Sequence, residues 1–347
     1  ERRVRRALGE VSPSVPTEPD ARSEQGIAPL RDPHVLADLG GQRLWSASGL
    51  QSWAGCPVQW FVERLLNARD LEPEAEPLAR GGLAHAALRQ TLERLREETG
   101  SARLTSERLP RARELLRVAL REHERAHPLS TVPERVPGVR RRLEADLERY
   151  LEHAAECGDR ADEGQLDLAQ QDSPSQLEPT YLELPFGFPE EAEGMPALDL
   201  GEGVLVRGFI DRVDLAPGGE AVVYDYKSSS PAAPDRWLGE RNFQIALYMR
   251  AVEQLLAVPV AGGFYQPLSG RDLRARGVLA VEEGVALECV RGDARPPSEV
   301  GELVEEIVAA ACTAATQARA GQLESRPTTC GWGGGGCRYP SICRCDR

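Results

Sequence analysis

The chain has 347 residues, room for one large domain or two small ones, with 41% apolar residues and a formal net charge of −13. That charge argues against a protein whose whole surface binds nucleic acid, although a locally basic channel would escape the sum. No apolar run reaches the ~18–20 residues needed to cross a membrane, and no basic, apolar leader is read, so a cytoplasmic protein is expected; the abrupt start at Glu1-Arg2-Arg3 without a Met suggests a piece of something longer.

Residues 1–44 are rich in Pro, Arg, Asp and Gly with little periodicity and are expected to form an arm or linker. The remainder, 45–347, is expected to form one domain: a helical part over 45–157, a strand-rich core over 179–290 and a Cys-rich tail over 326–347. A helix is predicted from Ser48, where Ser48-Gly49-Leu50-Gln51 has the Ser-x-x-Gln form of a capping box. Leu50, Trp53, Phe61 and Leu65 would share one face of it, with Pro57 marking a break or restart. Helical patterns follow at 79–98, 108–127 and 137–156. Residues 158–178 are polar and read as a loop. The period then changes: 179–186, 203–215 and 221–228 read as strands, 236–257 as a long helix, 260–266 and 276–289 as strands, and 299–320 as a helix. Helices on either side of a group of strands imply an α/β fold, with a mixed central sheet flanked by helices and a helical subdomain packed on it.

The chemistry concentrates at the second and third strands. Asp211 and Asp214 precede the turn residues Pro217-Gly218-Gly219, and Val222-Val223-Tyr224-Asp225-Tyr226-Lys227 follows them. With the turn centred on Gly218, antiparallel pairing sets Asp211 opposite Asp225, with Cβ atoms ~4.5–5.5 Å apart. Two carboxylates so placed can share a divalent cation, and Lys227, two residues on, leaves the same face as Asp225. A slip of one residue would undo the arrangement. Lys227 is the only lysine among 42 basic residues; a compact amine is not interchangeable with the planar guanidinium that fills the other positions. Such a set suits phosphodiester hydrolysis, in which a Mg²⁺ or Mn²⁺ held by carboxylates polarises the phosphate and activates water, and an amine stabilises developing charge. The bland alternative is a surface hairpin with ordinary charges, but an Asp in so apolar a strand would be costly without a partner.

Gly208-x-x-Asp211-Arg212-x-Asp214, a short spacer, then Asp225-Tyr226-Lys227 resembles the core of the RecB-type branch of the PD-(D/E)XK nucleases. Gly81-x-x-x-His85-x-x-Leu88 is similar to the helical Gly-x-x-x-His-x-x-Leu motif of that branch, and Gln244-x-x-x-Tyr248 to its Gln-x-x-x-Tyr motif. Being four apart, Gln244 and Tyr248 share a helix face. The resemblance implies a restriction-endonuclease-like core, metal-ligand roles for His85 and Asp211, and catalytic roles for Asp211, Asp225, Lys227, Gln244 and Tyr248. Glu183 is either an accessory acidic ligand or a solvated strand residue.

Of eight cysteines, Cys157, Cys289 and Cys312 are isolated and are expected as small core residues, whereas Cys330, Cys337, Cys343 and Cys345 crowd the tail. With Cys56 near the start, the tail spacing C-x6-C-x5-C resembles the iron–sulfur nuclease domains of AddB and the Adn-type helicase–nucleases. The resemblance implies a structural [4Fe-4S] cluster on Cys56, Cys330, Cys337 and Cys343, with Cys345 a possible substitute for Cys343. The spacing between the first two tail cysteines departs from the usual two residues, and four thiolates equally suit Zn²⁺. No Gly-x-x-x-x-Gly-Lys-Ser/Thr loop is present, and with one lysine none can be hidden. The implied function is therefore DNA cleavage on single-stranded or unwound ends, in double-strand-break end resection, with a helicase motor supplied in cis or by a partner subunit. A stand-alone CRISPR-associated type of iron–sulfur exonuclease and a catalytically silent DNA-binding scaffold are the alternatives.

Overall fold

In the computed structural model, which describes residues 27, 29–67, 76–162, 177–188, 195–228, 233–281, 293–324 and 339–343, the chain forms one mixed sheet covered on both faces by helices. Within the segment expected as an arm, Asp32 accepts hydrogen bonds from the backbone N–H groups of His34 and Val35 (2.8 and 3.1 Å), and Pro33 occupies the first turn. Both features favour a helix start, and helix α1 (Pro33–Gly41) follows, leading into strand β1 (Leu44–Ser46).

The next helix, α2 (Ala47–Gly55), is capped by Ser46, whose Oγ accepts from Gly49 N at 3.0 Å. The expected Ser48–Gln51 capping box does not form, because Ser46 has the extended backbone a cap needs while Ser48 is already helical and takes a hydrogen bond from Arg64 instead. Cys56 ends α2, and Pro57 restarts the chain as α3 (Pro57–Trp60), which runs on through a wider turn, Phe61–Leu65.

Three long helices form the helical layer: α4 (Glu76–Thr99), α5 (Leu109–His123) and α6 (Val136–Asp162). The last overruns its predicted end into the segment expected as a loop. Leu83, Leu88, Leu92, Leu116 and Leu147 meet in a core of their own, which Tyr226 and Leu268 of the sheet side join. The helical layer is thereby fastened to one face of the sheet.

Strand β4 (Leu205–Leu215) is the hub of that sheet. It pairs in parallel with β1, and antiparallel with β2 (Glu178–Phe186), β3 (Leu198–Asp199) and β5 (Ala221–Lys227). The β4–β5 turn closes with Gly219 N donating to Ala216 O at 2.9 Å; Gly219 has φ +94°, which a side chain would resist. The chain then crosses through α7 (Gln244–Leu256) to β6 (Val260–Pro267), parallel to β5, since a parallel neighbour requires such a crossover. Strands β7 (Arg276–Ala280) and β8 (Asp293–Arg295) complete the sheet, and α8 (Pro297–Arg319) and the short tail helix α9 (Pro340–Cys343) follow.

Two further boundaries differ from expectation. The helix expected over 236–257 begins only at Gln244: Pro234–Arg236 is a single 3-10 turn, and Arg241 adopts φ +56°, incompatible with a continuous helix. The strand expected over 276–289 ends at Ala280, and 282–292 lie outside the described residues. The main core lies on the α7/α8 face, where Trp53, Phe186, Ile210, Val223, Leu247 and Ile307 are fully buried. Cys312 packs against it as expected, Cys157 is disulfide-bonded rather than a lone core thiol, and Cys289 lies outside the described residues.

Candidate active site

The site is built where β4, β5, β2, α4 and α7 converge. The β4–β5 register pairs Arg212 with Tyr224, Val213 with Val223 and Asp214 with Val222, so the next step along both strands faces Asp211 with Asp225. The ladder stops there because the Asp211 carboxylate takes over: its Oδ2 accepts the hydrogen bond of Tyr226 N at 2.6 Å. Both carboxylates are almost fully buried.

Two more groups arrive from elsewhere in the chain. On α4, His85 is aimed at the sheet, its ring edge-on to Tyr226, with Nδ1 3.2 Å from Asp211 Oδ1 and 3.4 Å from Glu183 Oε1. Glu183 lies on β2 with φ +51°, a left-handed conformation that a glutamate adopts only at a cost. This irregular step lies between the Leu182–Arg212 and Leu184–Ile210 pairs. His85, Glu183 and Asp211 together offer three ligand atoms within 4.8 Å of one another. Glu183 Oε1 is buried and, among the described residues, has no partner in hydrogen-bond geometry, a state that a bound cation would relieve. The donor set, one imidazole and two carboxylates, therefore fits a divalent metal ion.

Lys227 closes the other side. Its Nζ lies against Asp225 Oδ2, an ion pair without hydrogen-bond geometry, and donates to Gln244 Oε1 at 2.9 Å. Gln244 Nε2 donates in turn to Tyr248 Oη at 3.1 Å, so Lys227, Gln244 and Tyr248 form one chain of contacts along the start of α7. Gly208 makes this possible: a Cβ there would come 3.0 Å from Tyr248 Oη and 3.1 Å from Phe186 Cε1.

The electrostatics reflect carboxylates packed close together and largely out of water. Burial, and then the adjacent Asp211, push the Asp225 carboxyl up to about 7 against the pull of Lys227. Burial disfavours a charged His85, but the adjacent Asp211 and Glu183 carboxylates outweigh it and push the imidazole up to about 10.

The expected site residues His85, Asp211, Asp225, Lys227, Gln244 and Tyr248 are thus brought together, and Glu183, left open by the sequence, joins His85 and Asp211 in the trio whose ligand atoms could hold a cation; Asp225 is not part of that trio. Arg212 and Asp214 were quoted in the motif without a role. Here Arg212 forms a two-pronged pair with Asp214, donates to Tyr150 Oη at 3.0 Å and lies over the Tyr224 ring. Although burial opposes its charge, Asp214 holds the guanidinium well above its ordinary value. The pair ties β4 to α6 directly behind Asp211. The signal was there, an Arg and an Asp two apart on one face of a strand, but nothing in the sequence said that this face is buried.

Of the expected cluster ligands, Cys330 and Cys337 lie outside the described residues, as does Cys345, and among the described residues no cysteine cluster forms. Cys56 is a half-buried free thiol at the α2–α3 joint, and Cys343 a buried free thiol on α9. Tyr339, just before α9, donates to Glu63 Oε1 at 3.1 Å and packs against the main core, which seats this part of the tail on the helical run that Cys56 begins.

Residues 44–344 match the family model of the PD-(D/E)XK nuclease superfamily. The match spans most of the chain, and the mixed sheet flanked by helices is consistent with the restriction-endonuclease-like fold of that superfamily, so the chain belongs to it. No curated protein matches the chain. No helix among the described residues is long and apolar enough to cross a membrane.

Proposed function

We propose that this PD-(D/E)XK protein is a Mg²⁺- or Mn²⁺-dependent deoxyribonuclease acting as an exonuclease on single-stranded or unwound DNA ends. The observation that carries this reading is the convergence of His85, Glu183 and Asp211 with the Lys227–Asp225–Gln244–Tyr248 group where β2, β4, β5, α4 and α7 meet. His85, Glu183 and Asp211 would hold the cation, with Asp225 beside them. When bound, the cation supplies Lewis-acid polarisation of the phosphate and a more acidic water. Lys227 presents a positive charge to the phosphoryl oxygens, and its bond to Gln244 fixes where Nζ points. Tyr248 orients Gln244 in turn and offers a hydroxyl at the cavity wall.

The nuclease would serve a helicase–nuclease in double-strand-break end resection, with the motor in cis or on a partner subunit. What supports this is the motif resemblance together with the absence of any phosphate-cradling lysine loop in the chain. A structural [4Fe-4S] cluster on Cys56, Cys330, Cys337 and Cys343 is part of the same reading. It is supported by the cysteine spacing and by the tail helix seated on the run that starts at Cys56. Purified protein would be incubated with end-labelled single- and double-stranded DNA and Mg²⁺ or Mn²⁺, beside Lys227→Ala and an EDTA control. Cleavage lost in both controls supports the reading. A folded protein that cuts nothing in either metal, alone or with a motor, would make it a silent scaffold. Iron and acid-labile sulfide in the purified protein support the cluster; stoichiometric zinc would replace it.

A further inference from the structure

Next to the Lys227–Gln244–Tyr248 chain lies a cleft of about 350 Å³, whose wall includes Gln244, Tyr248, Phe188, Arg207, Phe209 and Ser48. Among the exposed large apolar side chains of the described residues, Phe209 is the one aromatic, 41% exposed although it sits in the central strand β4. Its ring packs on Phe188 at 4.7 Å between centroids, tilted by 32°, and Arg207 lies over Phe188 with Cζ 5.1 Å from the centroid. The result is a guanidinium and two rings held in series. Neither Arg207 nor Arg64, which donates to Ser48 at the cleft wall, has a carboxylate partner among the described residues.

Resting on the nuclease reading above, we infer that this cleft is a nucleotide subsite for an unpaired strand, in which Phe209, backed by Phe188, stacks a base and Arg207 holds an adjacent phosphate. Stacking of a base on an aromatic ring tolerates any sequence but requires a base free of its duplex partner. Guanidinium is the group best suited to a phosphate beside an aromatic platform. Because Gln244 and Tyr248 belong to both the cleft wall and the Lys227 chain, a base stacked here would set the register of the strand against Lys227 and the Asp225 beside it. The platform thereby selects single strands and positions the phosphate to be cut.

The test is binding of a fluorescein-labelled oligodeoxythymidylate by anisotropy in EDTA, in parallel with steady-state cleavage in Mn²⁺. Phe209→Ala is expected to weaken the oligonucleotide by roughly 5- to 150-fold, the range for loss of one base–aromatic stack, and to raise KM more than it lowers kcat. Phe209→Trp should restore both, which loss of folding would not allow. A strand with abasic positions should bind the wild type as weakly as it binds Phe209→Ala, and blunt duplex should respond little to the substitution. Equal oligonucleotide affinity in wild type and Phe209→Ala, or no binding of single strands by the wild type, would overturn the subsite. If the wild type binds single strands through Phe209 but cleaves nothing, the subsite stands and the nuclease reading fails.

Discussion

Replacing Lys227 with Ala separates catalysis from stability in a way that follows from its surroundings. Lys227 Nζ faces Asp225, Gln244 Oε1 at 2.9 Å and the ring of Tyr265, whose centroid is 5.1 Å away. Removing the amine takes away the one lysine charge available to a transferring phosphate, and loss of a single preorganised electrostatic donor of this kind costs about 10²–10³-fold in kcat, some 2.7–4 kcal/mol. Breaking a buried ion pair ordinarily destabilises the fold as well, by 3–5 kcal/mol, because it strands a buried charge. Here that penalty is largely avoided. Burial and Asp211 already push the Asp225 carboxyl up to about 7, with Lys227 opposing them. Without Lys227 the carboxyl keeps its proton at neutral pH and no naked charge remains. Single-turnover cleavage of a labelled single strand in saturating Mn²⁺, with a thermal melt of the same preparation, measures both quantities. Lys227→Arg should rescue little, since a planar guanidinium cannot take the place of a compact amine held between Asp225 and Gln244. A kcat within tenfold of wild type, or a melt lowered as far as a stranded buried charge would lower it, refutes the reasoning.

Gly208→Ala places a Cβ 3.0 Å from Tyr248 Oη, so activity should fall as Tyr248 and Gln244 shift, with a stability loss of about 1–3 kcal/mol from overpacking; unchanged kinetics would show that Tyr248 does not contribute. Arg212→Met strands the fully buried Asp214 and should cost about 3–5 kcal/mol in denaturant unfolding, partly restored by Asp214→Leu in the same chain. In EDTA, His85 stabilises the fold fully below its unfolded value of 6.5 and loses that contribution as pH rises through about 10. A cation must displace this proton, so the melting increment given by Mn²⁺ should grow with pH across the same window and vanish in His85→Ala with Glu183→Gln; a pH-independent increment would place the metal elsewhere.

How much of this was legible in the sequence differs by distance along the chain. The opposition of Asp211 and Asp225 was readable because a hairpin is local: a Pro-Gly-Gly turn sets the centre, and a period of two assigns every side chain to a face. The one-turn spacing of Gln244 and Tyr248 was readable for the same reason. Helix ends were less so, since Ser46 and Ser48 are equally good capping residues by composition, and only the backbone of the β1–α2 corner chose between them. The role of Glu183 could not be decided at all, because it depends on α4 packing His85 against β2 and on a left-handed backbone step that no local preference predicts. Phe188, Arg207 and Phe209 likewise read as ordinary strand and loop residues until the fold stacked them beside Tyr248. By itself the sequence determined the chemistry available on each element, through short-range spacing and residue type. The tertiary structure alone decided which of those groups meet in one site, because that rests on long-range packing of the helical layer on the sheet.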